Sequence, residues 1–225
     1  SKYQSVVAEN KKKASAIKSL NKKVKTLEDE NKRLKDSIAS LSYTRNDVTP
    51  PRATASTTVA PKGVVLSPDS FHSIDEKLVL YYINYVRTKP QEFLKKYVLT
   101  KNVDTTDSYY ASLIKTLRTM KPVAPLTADK ILFEGARCHA YESGKTGYVG
   151  HEHKNCKKVY SAECCAYASY SDDKALKYVL QLLVDKGVSS LGHRKILLME
   201  DLHEVGISIQ PHKVFGENVV LDFSY

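Results

Sequence analysis

The stretch GYVGHEHKNC sets His151 and His153 two residues apart, just behind two glycines, and GHRKILL opens with His193. Between them fall two acids, Glu163 in SAECCAYA and Asp185 in LLVDKG. Each acid sits where an anion is costly. Glu163 lies in an apolar, cysteine-rich run, where an unpaired carboxylate loses its hydration. Asp185 falls near the C-terminal end of a helical pattern, where the helix dipole opposes negative charge. A protonated or metal-bound imidazole would relieve both acids. Asp185 also suits a plain turn or cap, and a loop histidine alone costs little to leave in water. The chemistry therefore depends on whether the fold brings these side chains together.

Two imidazoles and a carboxylate can hold Zn²⁺ with water completing the tetrahedron. Catalysis asks for more, namely a nucleophile or metal-activated water together with a stabiliser for developing charge. Ser189 and Ser190 precede His193 and Cys164 follows Glu163, but no nucleophile elbow or protease signature surrounds them. Of the other histidines, His139 lies on an apolar helical stripe with Leu132 and Ala136 and reads as a core histidine with a backbone partner. His72, His203 and His212 read as surface. Cys138, Cys156, Cys164 and Cys165 allow three pairings if all are bridged. A bond between the adjacent Cys164 and Cys165 would strain the backbone. Four thiols permit an oxidising compartment without proving it.

Positioning these groups falls to residues 71 to 225. Ser73 and Glu76 form a capping-box pattern ahead of Ile74, Leu78, Tyr81, Tyr82 and Tyr85, which share a helical face. A second helix starts near Pro90, a third spans Ser108 to Met120, and a fourth runs from a Thr127 cap to about Ser143, with Gly144 placed to end it. Ala175, Leu176, Val179, Leu180 and Leu183 mark a fifth. The period then changes: Val205, Ile207 and Ile209 alternate, as do Val219, Leu221 and Phe223, so an antiparallel pair closes the domain. Helices around a small sheet make an α+β domain.

Ahead of it, residues 1 to 43 carry heptads. Ile17, Val24 and Ile38 take one position with Asn31, and Leu20, Leu27, Leu34 and Leu41 the other. β-branched residues at the first position, leucine at the second and one buried asparagine predict a parallel two-stranded coiled coil, hence a homodimer. Residues 44 to 70 hold Pro50, Pro51, Pro61 and Pro68 among threonine, serine and alanine and read as a linker. Most of the formal charge of +10 belongs to the heptad segment. Residues 71 to 225 are close to balanced, which argues against a groove tracking phosphates. A basic-region zipper is also disfavoured, because Arg33 is the only arginine of the segment and Ile17 stands where such a region wants a small residue. No apolar run is long enough to span a bilayer. The sequence begins at Ser1 without a signal-peptide pattern, which fits a processed or trimmed product.

NYVRTKPQEF, the helix around Ala136 and His139, the loop histidine before an AEC segment, GHRKILL, and EVGISI leading into a final strand, taken in that order, resemble a CAP domain. This is the family of cysteine-rich secretory proteins, antigen 5 and pathogenesis-related proteins, and the match is nearest its short bacterial-type members. The resemblance covers 71 to 225 and implies an α-β-α sandwich with an open cleft lined by two histidines and two acids. By position these are His151 and His193 as metal ligands, with His153 a rival to His151, and Glu163 and Asp185 as the cleft acids. The sequence departs from the family in reading Ala162-Glu163-Cys164 for Gly-Glu-Asn, in using an aspartate for the second acid, and in lacking a tryptophan on the fifth helix. A literal Gly-Glu-Asn at Gly216 to Asn218 falls in the last turn and reads as a decoy. The resemblance implies a secreted or surface-displayed binding protein, with a periplasm or vesicle lumen also open, whose ligand is a sterol, a fatty acid or another protein. Weakly held Zn²⁺ is the cofactor it implies. Metal-assisted hydrolysis of a peptide or ester, with Glu163 as general base, is the alternative, and a structural head on an oligomerising rod is a third.

Overall fold

The computed structural model describes residues 13, 17–29, 60, 63–100 and 103–225. The chain divides into two compact units, Ser1–Arg52 and Ala53–Tyr225. In the first, residues 17–29 are helical and the heptad side chains Ile17, Leu20, Val24 and Leu27 are each more than half exposed. Asn31, Leu34, Ile38 and Leu41, which carry the rest of the expected coiled coil, lie outside the described residues, as does most of the expected linker. Among the described residues, no helix is long and apolar enough to cross a membrane.

The second unit contains α1 (Ile74–Thr88), α2 (Pro90–Phe93) continuing into a π-helical turn (Leu94–Val98), α3 (Ser108–Thr119), β1 (Thr127–Ala128), α4 (Lys130–Thr146), β2 (Ala162–Tyr167), α5 (Lys174–Val184), α6 (Gly192–Leu197), β3 (Glu204–His212) and β4 (Gly216–Ser224). The sheet runs in the order β1-β3-β4-β2, with only β1–β3 parallel. Helix α4 covers one face, where Ala136 and Ala140 meet Cys165 and Val220. The main core lies on the other face, where α1, α3 and α5 pack over Cys164, Val205, Ile207, Val219, Leu221 and Phe223. This is the expected α-β-α sandwich. Burial of both sheet faces explains why Gly206, Ser208 and Asp222, between the apolar positions, are buried as well. Gly206 is required there, because a Cβ would run into the backbone of Leu132 and Phe133 at the start of α4.

The capping box holds: Glu76 N–H donates to Ser73 Oγ and Ser73 N–H to Glu76 Oε2. Glu76 also accepts from Ile209 N–H at 2.8 Å, and His72 Nε2 from Ile207 N–H at 3.0 Å. β1 pairs only with Glu204 and Val205, so these two side chains replace the missing strand along β3. His72 is thus buried, against the surface expectation. So is His212, whose Nδ1 accepts from Val214 and Phe215 N–H while Nε2–H donates to Tyr148 O. His203 is exposed as expected. Both ends of α4 also differ from the sequence reading. Thr127 is still extended, pairing with β3, and Asp129 caps the helix by accepting from Leu132 N–H. Gly144 lies inside the helix, where a Cβ would strike the Pro211 carbonyl, and the helix ends at Gly147 with φ 78°. A helical glycine here marks close packing against β3.

Arg87, from NYVRTKPQEF, is fully buried and donates to the carbonyls of Ala124, Leu197, Met199 and Leu202. Four oxygen acceptors satisfy the guanidinium fork without a carboxylate. The motif ties α1 to the segment after α6 and so fixes the height at which α6 presents His193.

Candidate functional site

β2 is an edge strand, and the candidate site forms along its free side. The loop from α4 to β2 is tied back to α4 by a disulfide between Cys138 and Cys156. Cys164 and Cys165 are free thiols, so the four cysteines are not all bridged. Burial and the neighbouring acids push both thiols well above their ordinary value, which keeps them uncharged.

The loop delivers both of its histidines to Glu163. His151 Nδ1 lies 2.6 Å from Oε1 and His153 Nε2 lies 2.7 Å from Oε2, so each carboxylate oxygen accepts from one imidazole. Burial pushes the Glu163 carboxyl up, but these hydrogen bonds outweigh it and hold the group below its usual value. The same bond, working against burial, raises His151. His151 and His153, rivals in the sequence, both contact Glu163 and differ in exposure. The His153 side chain is 4% exposed and stacks on His139 with centroids 3.9 Å apart, whereas that of His151 is 53% exposed. His139 takes the expected backbone partner, Gly150 O at 3.0 Å, and burial lowers its pKa.

Asp185 is the C-cap of α5, with φ 56°. The dipole conflict expected there is resolved by α6, whose first turn is laid against it: His193 N–H donates to Oδ2 at 3.0 Å and Arg194 N–H to the same oxygen at 3.4 Å. His193 Nδ1 bonds Oδ1 at 2.7 Å. Arg194 itself turns inward to Ser112 Oγ and to the carbonyls of Tyr109, Leu183 and Val184. The His-Arg pair of GHRKILL therefore splits, one side chain toward the cleft and the other as an anchor.

The rings of His151 and His193 face one another with centroids 6.3 Å apart. In each, Nδ1 is taken by a carboxylate, so Nε2 is the nitrogen left for an ion or ligand. A cavity of about 590 Å³ adjoins His193, lined by Tyr110, Cys165, Tyr170, Leu180 and Asp185 among others. The Gly216–Asn218 triplet opens β4, where Asn218 is buried and bonds Ala140 O and Ser143 Oγ, so it serves packing.

Three site residues were missed in the sequence: His153 as a buried partner, Cys165 and Asp222. Asp222 faces Glu163 across the β2–β4 ladder, is fully buried, and receives no donor from any described residue. Burial, reinforced by the Glu163 charge, pushes it up to about 9. A buried carboxyl without donors beside a carboxylate is held in its neutral form, because a second negative charge there would be neither solvated nor paired. Its one sequence signal is an aspartate inside the apolar run VVLDF. Two triads bring ligand atoms close together: His139, His153 and Glu163, and His151, Glu163 and Cys165. The first suits an ion poorly, because its imidazoles are parallel to within 6° and an ion in the plane of one ring lies outside the plane of the other.

The CAP family model, that of the cysteine-rich secretory protein family, matches residues 80–223, and the chain belongs to this family. No curated protein matches it significantly. Among solved structures, that of BmVAL-1 is similar with a TM-score of 0.42 and 12% identity, over 70% of this chain and 80% of that one.

Proposed function

We propose that this CAP domain is an extracellular or surface-displayed binding module whose cleft holds a divalent metal through Nε2 of His151 and His193. The supporting observation is that each ring is oriented by a carboxylate on Nδ1. That is the usual outer-shell arrangement of metal-bound imidazoles, and it fixes the tautomer that presents Nε2. Glu163 and Asp185 act as orienting groups in this reading. Both oxygens of Glu163 are occupied by imidazoles, which suits that role better than the general base of a hydrolase. The adjoining cavity suits a lipid chain or a protein side chain. The Cys138–Cys156 bond fits an oxidising compartment. The exposed heptad face of residues 17–29 supports pairing of two chains, which would raise avidity for a clustered ligand.

Calorimetric titration with Zn²⁺ tests the metal. Wild type binds, His151→Ala and His193→Ala each lose at least about tenfold in affinity, and binding weakens as pH falls, beginning above the ordinary imidazole value because Glu163 raises His151 and protonated imidazole cannot coordinate. Equal affinities in all three proteins would remove the assignment. Chelator-sensitive turnover of peptide or ester libraries would favour the hydrolase instead.

A further inference from the structure

On the reading that the cleft takes a metal, we infer that Cys165 turns its floor into a thiolate-containing site. His151 Nδ1, a Glu163 oxygen and Cys165 Sγ would bind a thiophilic ion such as Zn²⁺ without His193, as a second mode that excludes the His151–His193 one because both use the same ring. Cys165 Sγ lies 3.7 Å from His151 Nδ1. Two ligands of one tetrahedral Zn²⁺, at the usual Zn–S and Zn–N lengths of about 2.3 and 2.0 Å, stand about 3.6 Å apart. The sulfur and nitrogen are therefore already at ligand spacing. Glu163 Oε1, hydrogen-bonded to the same nitrogen at 2.6 Å, needs to draw back by under about 1 Å to reach the corresponding separation.

The sequence supports the same point from another side. The positions after the glutamate in the family's Gly-Glu-Asn are occupied here by two cysteines, and alternation along β2 separates them. Cys164 turns into the main core, and Cys165 turns to the α4 face with Glu163. Only Cys165 also lines the cavity.

Protons balance simply. The ion displaces the thiol proton, which leaves to solvent, and the Nδ1 proton, which is replaced at Nε2 of the exposed ring. One proton is released for each ion bound. A thiolate donor favours Zn²⁺ or Cu⁺ over Mg²⁺ or Ca²⁺.

Co²⁺ alone is the probe, added to the disulfide-bonded 225-residue chain and followed by absorption. The expected result is a sulfur-to-cobalt charge-transfer band that rises to one equivalent in His193→Ala, where the ion has only the β2 wall, persists when Cys164→Ser is added and is lost when Cys165→Ser or His151→Ala is added. Release of one proton per ion in His193→Ala, read with a pH indicator, is a second measurement that does not depend on a cysteine variant folding. Co²⁺ binding in that background without the band, or a band indifferent to Cys165→Ser, overturns the inference while leaving the His151–His193 reading intact. Loss of all binding in His193→Ala assigns the ion to the histidine pair and has the same consequence. No heat and no band in the wild type defeats both.

Discussion

On the β2 side of the cleft, Glu163 is held by side chains: two loop imidazoles on its oxygens, with Asp222 behind it on β4 and Cys165 two residues further along its own strand. On the α6 side, Asp185 is held largely by backbone, through the N–H groups of His193 and Arg194, with one imidazole added. Both arrangements aim a histidine into the cleft, but they differ in what sets them. The first depends on protonation states and on a disulfide-tied loop. The second depends on where α5 ends and α6 begins. The β2 wall therefore carries the shifted groups Glu163, His151 and Asp222 beside a disulfide-tied loop, while the α6 wall is set mainly by backbone geometry.

Asp222→Asn should separate the walls most strongly. The folded carboxyl stays neutral up to about 9, whereas in the unfolded chain it ionises near 3.9. Between these values the unfolded state binds fewer protons, so wild-type stability falls as pH rises through the window. Asparagine removes that loss and its amide can donate to Glu163. The variant should match wild type near pH 4 and gain roughly 1.4 kcal/mol per pH unit above it, on the order of 4 kcal/mol at pH 7. Urea midpoints at the two pH values check this, and a difference that did not change with pH would break the assignment.

Opening the Cys138–Cys156 bond should cost about 3 kcal/mol, given a sequence separation of 18. Because the loop it closes carries His151 and His153, reduction should also weaken Zn²⁺ binding in the His193→Ala background, where only the β2 wall can coordinate. Denaturation and titration with and without reductant provide the test. Unchanged affinity would mean the loop is placed by Glu163 alone.

The smallest of these effects belongs to the α6 wall. Asp185→Ala leaves two helix N–H groups and one imidazole without an acceptor and should cost about 2 kcal/mol. Asp185→Asn keeps one acceptor and tolerates the left-handed backbone, so about half should return. Thermal melts of the pair decide it. A loss near zero in both variants would show that the chain path from α5 into α6, and not Asp185, holds this wall.

Much of the scaffold was legible in sequence because it rests on local patterns. The capping box at Ser73 and the alternation from Val205 to Phe223 each depend on residues close in the chain. The ends of α4 were misplaced for a tertiary reason. Thr127 is drawn into β3, and Gly144 answers to Pro211 rather than to its own helix. His72 was misread likewise, since its task is to complete a strand far away in sequence.

For the site, the residue types and the discomfort of two acids already pointed to imidazole partners. The family pattern chose His151, His193, Glu163 and Asp185, and the fold places them as two facing pairs. What only the tertiary structure decided is how the protons and charges are shared: His153 as second partner of Glu163, Asp222 kept neutral behind it, and Cys165 turned to the cleft while Cys164 is turned away. The physical reason is that hydrogen-bond allocation and desolvation depend on neighbours supplied by other elements. Sequence spacing along any single element does not encode them.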